Sequence, residues 1–242
     1  MRRIKLITFD LDNTLWDVEP ALIRAEQAQY LWLREHRPRA THNYSPAQVR
    51  EYRIEHYHQH PHLAHQISEI RIQALKAMLL ECDYDEEMAV AGAEAAFQTF
   101  LSIRHQVQPY EQALPVLQQL AENYVLGALT NGNADIFKLE IGDYFDFSFS
   151  AEEVDASKPL PDMFHAALRE TGASSHETVH VGDNPRHDVL GAQQVGMHTV
   201  WMNSGDWRWP GGEPADEQIT SLAELPDAIH KIEARAGSKA IE

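Results

Sequence analysis

The sequence predicts an α/β protein in which a parallel β-sheet is interrupted by a helical insertion. Three observations support this prediction. Residues 4–9 form a mostly apolar run, which is typical of a buried parallel strand. Residues 20–106 show helical periodicity and few strand-like runs. From Tyr110 onward, helical and strand-like segments alternate, as they do in parallel sheets.

The first half of the chain contains one predicted strand and the helical block. The strand covers residues 4–9 and stops at Asp10. Within the block, helical spacing is clearest for a set of apolar residues: Ile67, Ile70, Ala74, Leu75, Met78 and Leu79. A further helix, carrying Leu114, Leu117 and Leu120, precedes a second strand over residues 124–130 and a short helix from Ala134.

The alternation continues to the end of the chain. Strands are predicted over residues 147–150, 178–181 and 198–202, and helices over residues 161–171 and 189–195. A loop rich in Gly and Pro over residues 204–216 leads to a final helix near residues 222–232. The sequence therefore predicts five strands.

Four polar residues follow the predicted strands. Asp10, Thr130, Lys158 and Asp183 each fall at or just beyond the carboxyl end of a strand. Open α/β sheets bind ligands at this edge. We therefore expect these side chains to converge.

Composition excludes some classes of function. The 242 residues include 20 basic and 37 acidic side chains, which gives a net charge of -17. This charge repels nucleic acid and anionic lipid. The apolar runs are too short to cross a bilayer, and charged residues interrupt any signal-peptide pattern. Cys82 is the only cysteine, so an intrachain disulfide is impossible and a reducing compartment is compatible. We expect a cytoplasmic protein, a monomer or a homodimer, without nucleic-acid or membrane partners.

Four short segments resemble the motifs of the haloacid dehalogenase superfamily. They read FDLDNTL at residues 9–15, LTNG at 129–132, Lys158-Pro159, and VGDN at 181–184 followed by Asp188. Singly, each has a structural explanation, such as a turn, a solvated lysine or a helix cap. Together and in this order, they indicate a Rossmann-like core over residues 1–16 and 107–242, with a helical cap domain over residues 17–106.

The resemblance implies a phosphatase that uses Mg²⁺. This ion prefers hard oxygen ligands and is held by a few carboxylates and a substrate phosphate. Asp10 and Asp183 are the expected ligands, together with the backbone carbonyl of Asp12, and Asp188 is expected to support the site without contacting the ion. Without a cation, the carboxylate of Asp10 and a phosphate would repel each other strongly.

The resemblance also implies a two-step reaction. Asp10 attacks phosphorus and forms an aspartyl phosphate, which water then hydrolyses. Asp12 serves both steps as general acid and then general base, a role that contributes on the order of 10² to 10⁴ in rate. Lys158 is the third catalytic residue implied.

The phosphate-binding residues implied are Leu11, the Thr130 hydroxyl, the Asn131 backbone amide and Lys158, which hold the non-bridging oxygens. Trp16 has two interpretations. An exposed ring there could stack on a planar leaving group, or the residue could be a hinge packed against the cap.

Two aromatic regions invite further hypotheses. The histidine-rich tract at residues 56–65 resembles a zinc site, but Pro61 breaks its helical register and no cysteine is near, so solvated surface is the favoured interpretation. Trp201, Trp207 and Trp209 are interpreted as packing residues rather than as a ligand-binding group.

At the level of the whole chain, residues 4–202 resemble a bacterial branch of these phosphatases. Members of that branch act on flavin mononucleotide and on 5-amino-6-(5-phosphoribitylamino)uracil in riboflavin biosynthesis. Residues 130–134, 142–145 and 157–159 fit this branch. The partner implied is a small phosphorylated metabolite. Two alternatives remain: a 2-haloacid dehalogenase, against which Asp12 argues, and a non-catalytic binding module, against which the intact motifs argue.

Overall fold

The computed structural model describes residues 4–205 and 208–238, so Trp207 lies outside the described residues. The chain forms two compact units. One contains Met1–Asp17 and Gln108–Glu242, and the other contains Val18–Val107. They are called the sheet unit and the helical unit below. Among the described helices, none is long and apolar enough to cross a membrane.

The sheet unit is built on a six-stranded, fully parallel sheet with the order β3-β2-β1-β4-β5-β6. The strands are β1 Leu6–Phe9, β2 Val125–Thr130, β3 Phe147–Ser150, β4 Thr178–Gly182, β5 His198–Met202 and β6 Glu217–Ile219. The predicted α/β fold is therefore confirmed.

Strand β1 lies in the centre of the sheet and is buried along its whole length. Leu6 pairs with Val125 on one side and with Thr178 on the other. A strand with two neighbours and two covered faces must be apolar throughout, which explains its continuous hydrophobic run. Its carboxyl end opens directly into Asp10.

Helices cover this sheet. They are α6 Ala113–Ala121, α7 Ala151–Val154, α8 Asp162–Thr171, α9 Gly191–Gln194 and α10 Leu225–Ser238. One hydrophobic cluster joins strand residues Leu6 and Leu129 to Met163, Phe164 and Ala167 of α8. This packing fixes the positions of the strand ends.

Three predictions for the sheet unit are corrected. Strand β6 was not predicted, because its three residues include Glu217 and Gln218 and show no apolar run. The predicted helix at 189–195 is an α-helix only over Gly191–Gln194, and a π-helix over Pro185–Leu190 precedes it. The predicted helix from Ala134 is a single 3-10 turn, Ile136–Lys138.

The helical unit contains five α-helices: α1 Glu19–His36, α2 Pro38–Asn43, α3 Pro46–Gln59, α4 Ile67–Glu81 and α5 Glu86–Arg104. Its core draws on the apolar faces of α1, α4 and α5, including Leu33, Met78, Leu79, Phe97 and Phe100. Helix α3 begins with a capping box at Ser45 but has no fully buried residue. It is therefore held to the unit by partly buried contacts alone.

Candidate active site

Asp10 follows β1 at the centre of the sheet and is 8% exposed. Its backbone N–H donates to the carbonyl of Val181 at 2.8 Å, which ties the start of the loop to β4. The loop then turns tightly, since the Leu11 carbonyl accepts the N–H groups of Thr14 and Leu15 at 3.2 and 2.9 Å. The Leu11 side chain is fully buried, so only its backbone is suited to contact a ligand.

Three carboxylates meet at the ends of β1 and β4. Each of Asp10, Asp183 and Asp188 offers one oxygen, and these oxygens lie within 4.8 Å of one another. Asp10 and Asp188 are buried and Asp183 is partly buried. Three acidic groups this close repel one another unless positive charge lies among them.

Lys158 supplies one such charge and is 2% exposed. Its Nζ donates to Asp10 Oδ1 at 2.7 Å, to Asp188 Oδ1 at 2.7 Å and to the Leu129 carbonyl at 2.6 Å. An ammonium has three N–H donors, and all three are used here. The predicted convergence of Asp10, Lys158 and Asp183 is therefore observed.

Asp188 is held from several sides. Besides Lys158, its Oδ1 lies 3.3 Å from His180 Nε2, and its Oδ2 accepts the Asn184 N–H at 2.9 Å. His180 Nδ1 lies 2.8 Å from the Thr8 hydroxyl. If Thr8 donates to Nδ1, the neutral ring carries its proton on Nε2 and donates to Asp188. Sequence analysis missed His180, although a histidine within the buried apolar strand β4 is a detectable signal.

Gly182 explains how Asp188 approaches the sheet so closely. A Cβ built on Gly182 would lie 2.3 Å from Asp188 Cγ. No real Cβ contact is this short, so a side chain at position 182 would displace the carboxylate.

The electrostatics show an excess of negative charge. Burial, together with Asp188 and Asp183, raises the pKa of Asp10 well above its usual range despite Lys158. Burial first and Asp188 second raise the pKa of Asp183 to about 6. Burial opposes ionisation of Asp188, but Lys158 and His180 outweigh it and lower its pKa. Burial also disfavours the charged form of Lys158, but Asp10 and Asp188 outweigh this effect and raise the pKa of Lys158.

The residues present fit a divalent cation. The donor set consists of hard carboxylate oxygens, which Mg²⁺ prefers. The raised pKa values of Asp10 and Asp183 show that their charges are not fully compensated by Lys158. Both oxygens of Asp188 already accept hydrogen bonds from protein groups, which fits a supporting position.

Asp12 is partly buried and accepts a hydrogen bond from the Trp16 indole N–H at 2.8 Å. Trp16 itself is fully buried. The stacking hypothesis required an exposed ring, and this expectation is wrong for the described conformation. The bond to Asp12 was not predicted, although a spacing of four residues across a tight turn allows it.

Asn131 connects two of the predicted segments. Its Oδ1 accepts the Lys158 N–H at 2.8 Å, and its Nδ2 donates to the Lys158 carbonyl at 2.9 Å. Thr130 is buried, and its hydroxyl oxygen accepts the Gly132 N–H at 2.9 Å. The Asn131 side chain therefore positions the Lys158 loop, a role that the motif did not reveal.

The other aromatic regions have structural contacts. The Trp201 indole N–H donates to the Asp183 carbonyl at 2.8 Å, and its ring packs 5.2 Å from that of Trp209. In the histidine tract, α3 ends before Pro61, and the rings of His56 and His60 stack at 4.1 Å. Within the part of the chain that the structure describes, the Asp10, Asp183 and Asp188 group is the only set of three or more potential metal ligands.

Comparisons with known proteins agree with this geometry. Residues 4–196 match the family of haloacid dehalogenase-like hydrolases. The chain is 32% identical over 94% of its length to the 5-amino-6-(5-phospho-D-ribitylamino)uracil phosphatase of Escherichia coli, of which 97% is covered. It is 28% identical over 98% of its length to the glyceraldehyde 3-phosphate phosphatase of Pyrococcus furiosus, of which 97% is covered.

A solved structure described as a 2-haloacid dehalogenase from Pseudomonas syringae is 39% identical, with a TM-score of 0.88. The match covers 94% of this chain and 99% of the chain in that structure. The family predicted from the four motifs is confirmed, and this chain belongs to the haloacid dehalogenase-like hydrolases.

Proposed function

We propose that this hydrolase is a Mg²⁺-dependent phosphomonoester hydrolase acting on a small phosphorylated metabolite. The observation that carries the proposal is the meeting of Asp10, Asp183 and Asp188 around Lys158 at the carboxyl edge of the sheet. An intact site of this kind also argues against a non-catalytic binding module.

In the proposed reaction, the Asp10 carboxylate attacks phosphorus and forms an aspartyl phosphate. Asp10, Asp183 and the Asp12 carbonyl would hold the cation, with Asp188 in support. When bound, Mg²⁺ neutralises the repulsion between carboxylates and phosphate. Lys158 orients Asp10 through its 2.7 Å hydrogen bond.

Asp12 is proposed as the general acid that protonates the leaving alkoxide and as the base that activates water. The hydrogen bond from Trp16 restrains its carboxylate in one orientation. Phosphate oxygens would be held by the Thr130 hydroxyl and by the backbone amides of Leu11 and Asn131. Lys158 would hold a further phosphate oxygen by exchanging one of its three present hydrogen bonds.

For the substrate, we propose 5-amino-6-(5-phosphoribitylamino)uracil or flavin mononucleotide, and hence a step of riboflavin biosynthesis. The support is the 32% identity over 94% of the chain to an Escherichia coli phosphatase named for the first of these compounds. The helical unit is proposed as the cap domain that selects the leaving group. We place the protein in the cytoplasm, where its free thiol, Cys82, is compatible with a reducing environment.

A second candidate is a 2-haloacid dehalogenase, which the 39% identity to a structure of that description favours. The two reactions differ in their need for Asp12. A departing alkoxide must be protonated, whereas a halide leaves without a proton. A carboxyl group at position 12 is therefore useful to the phosphatase alone.

The test measures two products with one enzyme preparation. Hydrolysis of p-nitrophenyl phosphate is followed with Mg²⁺ and after complete chelation, and chloride release is followed with 2-chloropropionate. We expect phosphate-ester hydrolysis that depends on Mg²⁺ and no chloride release. Metal-independent chloride release would establish the dehalogenase instead. If neither activity is detected, the non-catalytic binding module is the remaining alternative.

Variants then separate the roles. Asp10→Asn removes the nucleophile and is expected to abolish turnover, while Asp12→Asn lowers it by on the order of 10² to 10⁴. Asp227→Asn is the matched control, since this carboxylate is exposed and lies on α10, outside every motif. A panel of phosphorylated metabolites, ranked by kcat/KM, tests the substrate. A preference for sugar phosphates over both flavin-related compounds would contradict the proposed pathway.

A further inference from the structure

The helical unit contains a cavity of about 520 Å³ between α1, α3 and α4. Part of its lining is apolar and includes Val49, Ala74, Leu75 and Met78. The cavity exists because α3 has no fully buried residue and leaves space beneath it. Its volume is within the range of small-molecule binding sites.

Three arginines and one glutamate line the same cavity. Glu26 accepts a hydrogen bond from Arg53 Nη2 at 3.2 Å. The other two guanidinium groups are more distant, since Arg50 Nε and Arg71 Nη2 each lie 3.9 Å from a Glu26 oxygen. One carboxylate therefore faces three cations, in a chain whose net charge is -17.

Arg71 is the most buried of the three, with 8% of its surface exposed. Its guanidinium lies 3.7 Å from the centre of the Phe100 ring and makes only a long hydrogen bond, 3.5 Å, to Gln29 Oε1. Burial, followed by the charge of Arg53, lowers the pKa of Arg71 to about 9. Arg71 stays protonated at neutral pH, but its charge is under-compensated.

The two tyrosines at the cavity contribute rings rather than hydroxyls. The Tyr30 hydroxyl donates to the Tyr44 carbonyl at 3.1 Å, and the Tyr52 hydroxyl donates to Glu81 at 2.7 Å. Because these hydroxyls are engaged elsewhere, the remaining lining favours an apolar or aromatic group. The cavity thus joins an excess of guanidinium groups to an apolar surface.

We propose that this cavity binds a small organic anion, whose carboxylate or phosphate contacts Arg53 and Arg71 and whose apolar body contacts Leu75 and Met78. The ligand supplies negative charge to a cavity in which one carboxylate faces three guanidinium groups. None of these residues belongs to the proposed catalytic set, so the site is independent of the proposed phosphatase activity.

A second copy of the chain is the competing occupant, because Ile23 and Leu31 at the cavity are 54% and 43% exposed. An apolar interface would cover those side chains but would also bury three guanidinium groups against a single carboxylate. The excess of positive charge therefore favours a ligand that carries an oxyanion.

Isothermal titration calorimetry of the full chain tests the proposal. Phenylacetate and phenylphosphonate serve as carboxylate and phosphate probes, benzyl alcohol is the neutral control, and EDTA removes divalent ions from the catalytic site. Arg53→Met removes one guanidinium that is already partly exposed. Arg50→Met removes a second guanidinium, whose side chain is 60% exposed. Arg34→Met, on the exposed face of α1, is the matched control.

We expect saturable binding of at least one anionic probe and none of benzyl alcohol. Arg53→Met should weaken binding at least about tenfold and Arg50→Met about threefold, while Arg34→Met leaves it unchanged. The preferred probe identifies the anionic group. Absence of saturable binding overturns the proposal, as does binding that neither variant weakens. A dimer that Arg53→Met dissociates, without probe binding, assigns the cavity to a second copy. Each result can be obtained whether or not the protein hydrolyses phosphate esters.

Discussion

Replacing Asp183 by asparagine tests whether the acidic cluster is built for a cation. Burial and Asp188 raise the pKa of Asp183 from 3.8 to about 6. This difference is about 2 units, and at about 1.36 kcal/mol per unit it corresponds to about 3 kcal/mol of destabilisation of the charged form. Because Asp183 is only partly buried, solvent reduces this figure, and we expect Asp183→Asn to stabilise the metal-free protein by about 1–3 kcal/mol at pH 7.5.

The sign of the pH dependence follows from the same shift. Since the pKa of Asp183 is higher in the folded chain, the folded state binds more protons than the unfolded state between pH 3.8 and about 6. The destabilisation caused by the charged form of Asp183 is complete above about pH 6 and disappears below pH 3.8. The difference in stability between Asp183→Asn and the wild type should therefore be largest at pH 7.5 and smaller at pH 5.

Urea denaturation at the two pH values, in EDTA, measures this difference directly. With Mg²⁺ at roughly a thousandfold excess over Kd the order should reverse, because the wild type then gains about 4.1 kcal/mol of binding energy, more than the variant's advantage of about 1–3 kcal/mol. Asp227→Asn, at an exposed position on α10, controls for the loss of one charge. A variant that is less stable than the wild type in EDTA at pH 7.5 would refute the account of the cluster.

Two further substitutions, Gly182→Ala and Trp16→Phe, test which contacts position Asp188 and Asp12, and Gly127→Ala is the control for the first. Gly182→Ala would place a Cβ 2.3 Å from Asp188 Cγ and should weaken Mg²⁺ binding at least about tenfold by calorimetry. Gly127→Ala, whose Cβ would lie 2.2 Å from a ring on the neighbouring strand, should cost about 1–3 kcal/mol of stability in urea yet leave Mg²⁺ affinity unchanged. Trp16→Phe removes the donor to Asp12 and should lower kcat, measured with p-nitrophenyl phosphate, by about tenfold at constant KM; an unchanged kcat would show that this bond has no catalytic role.

Much of the fold could be predicted because burial leaves a strong pattern in the sequence. Strand β1 is covered on both faces and flanked on both sides, so its residues are apolar and its end at Phe9 is clear. Strand β6 lies at the edge of the sheet, and its pattern Glu217, Gln218, Ile219 places a single buried residue among polar ones. So short a strand is recognisable only from its pairing with β5.

The site was predictable only as far as its residues follow strands. Asp10 was placed correctly because it directly follows β1, and the carboxyl ends of parallel strands share one edge. Lys158 was expected at or just beyond a strand end, but α7 separates it from β3, and it reaches the same edge from the loop after that helix. The pairing of the Asn131 side chain with the Lys158 backbone had no signal, since it joins segments 27 residues apart through ordinary amide hydrogen bonds. The burial of Trp16 was likewise undetermined, because one aromatic residue after a turn fits either environment.

The central position of β1 has a consequence for how the protein is made. Leu6 pairs with Val125 and Thr178, so β1 leaves the ribosome before the neighbours it needs, which are translated much later. At typical rates of synthesis, roughly 170 residues take roughly 10 to 30 s, during which this apolar segment has an open edge. A nascent chain that stalls before β4 would keep that edge exposed, and we expect such fragments to aggregate or to be retained by chaperones.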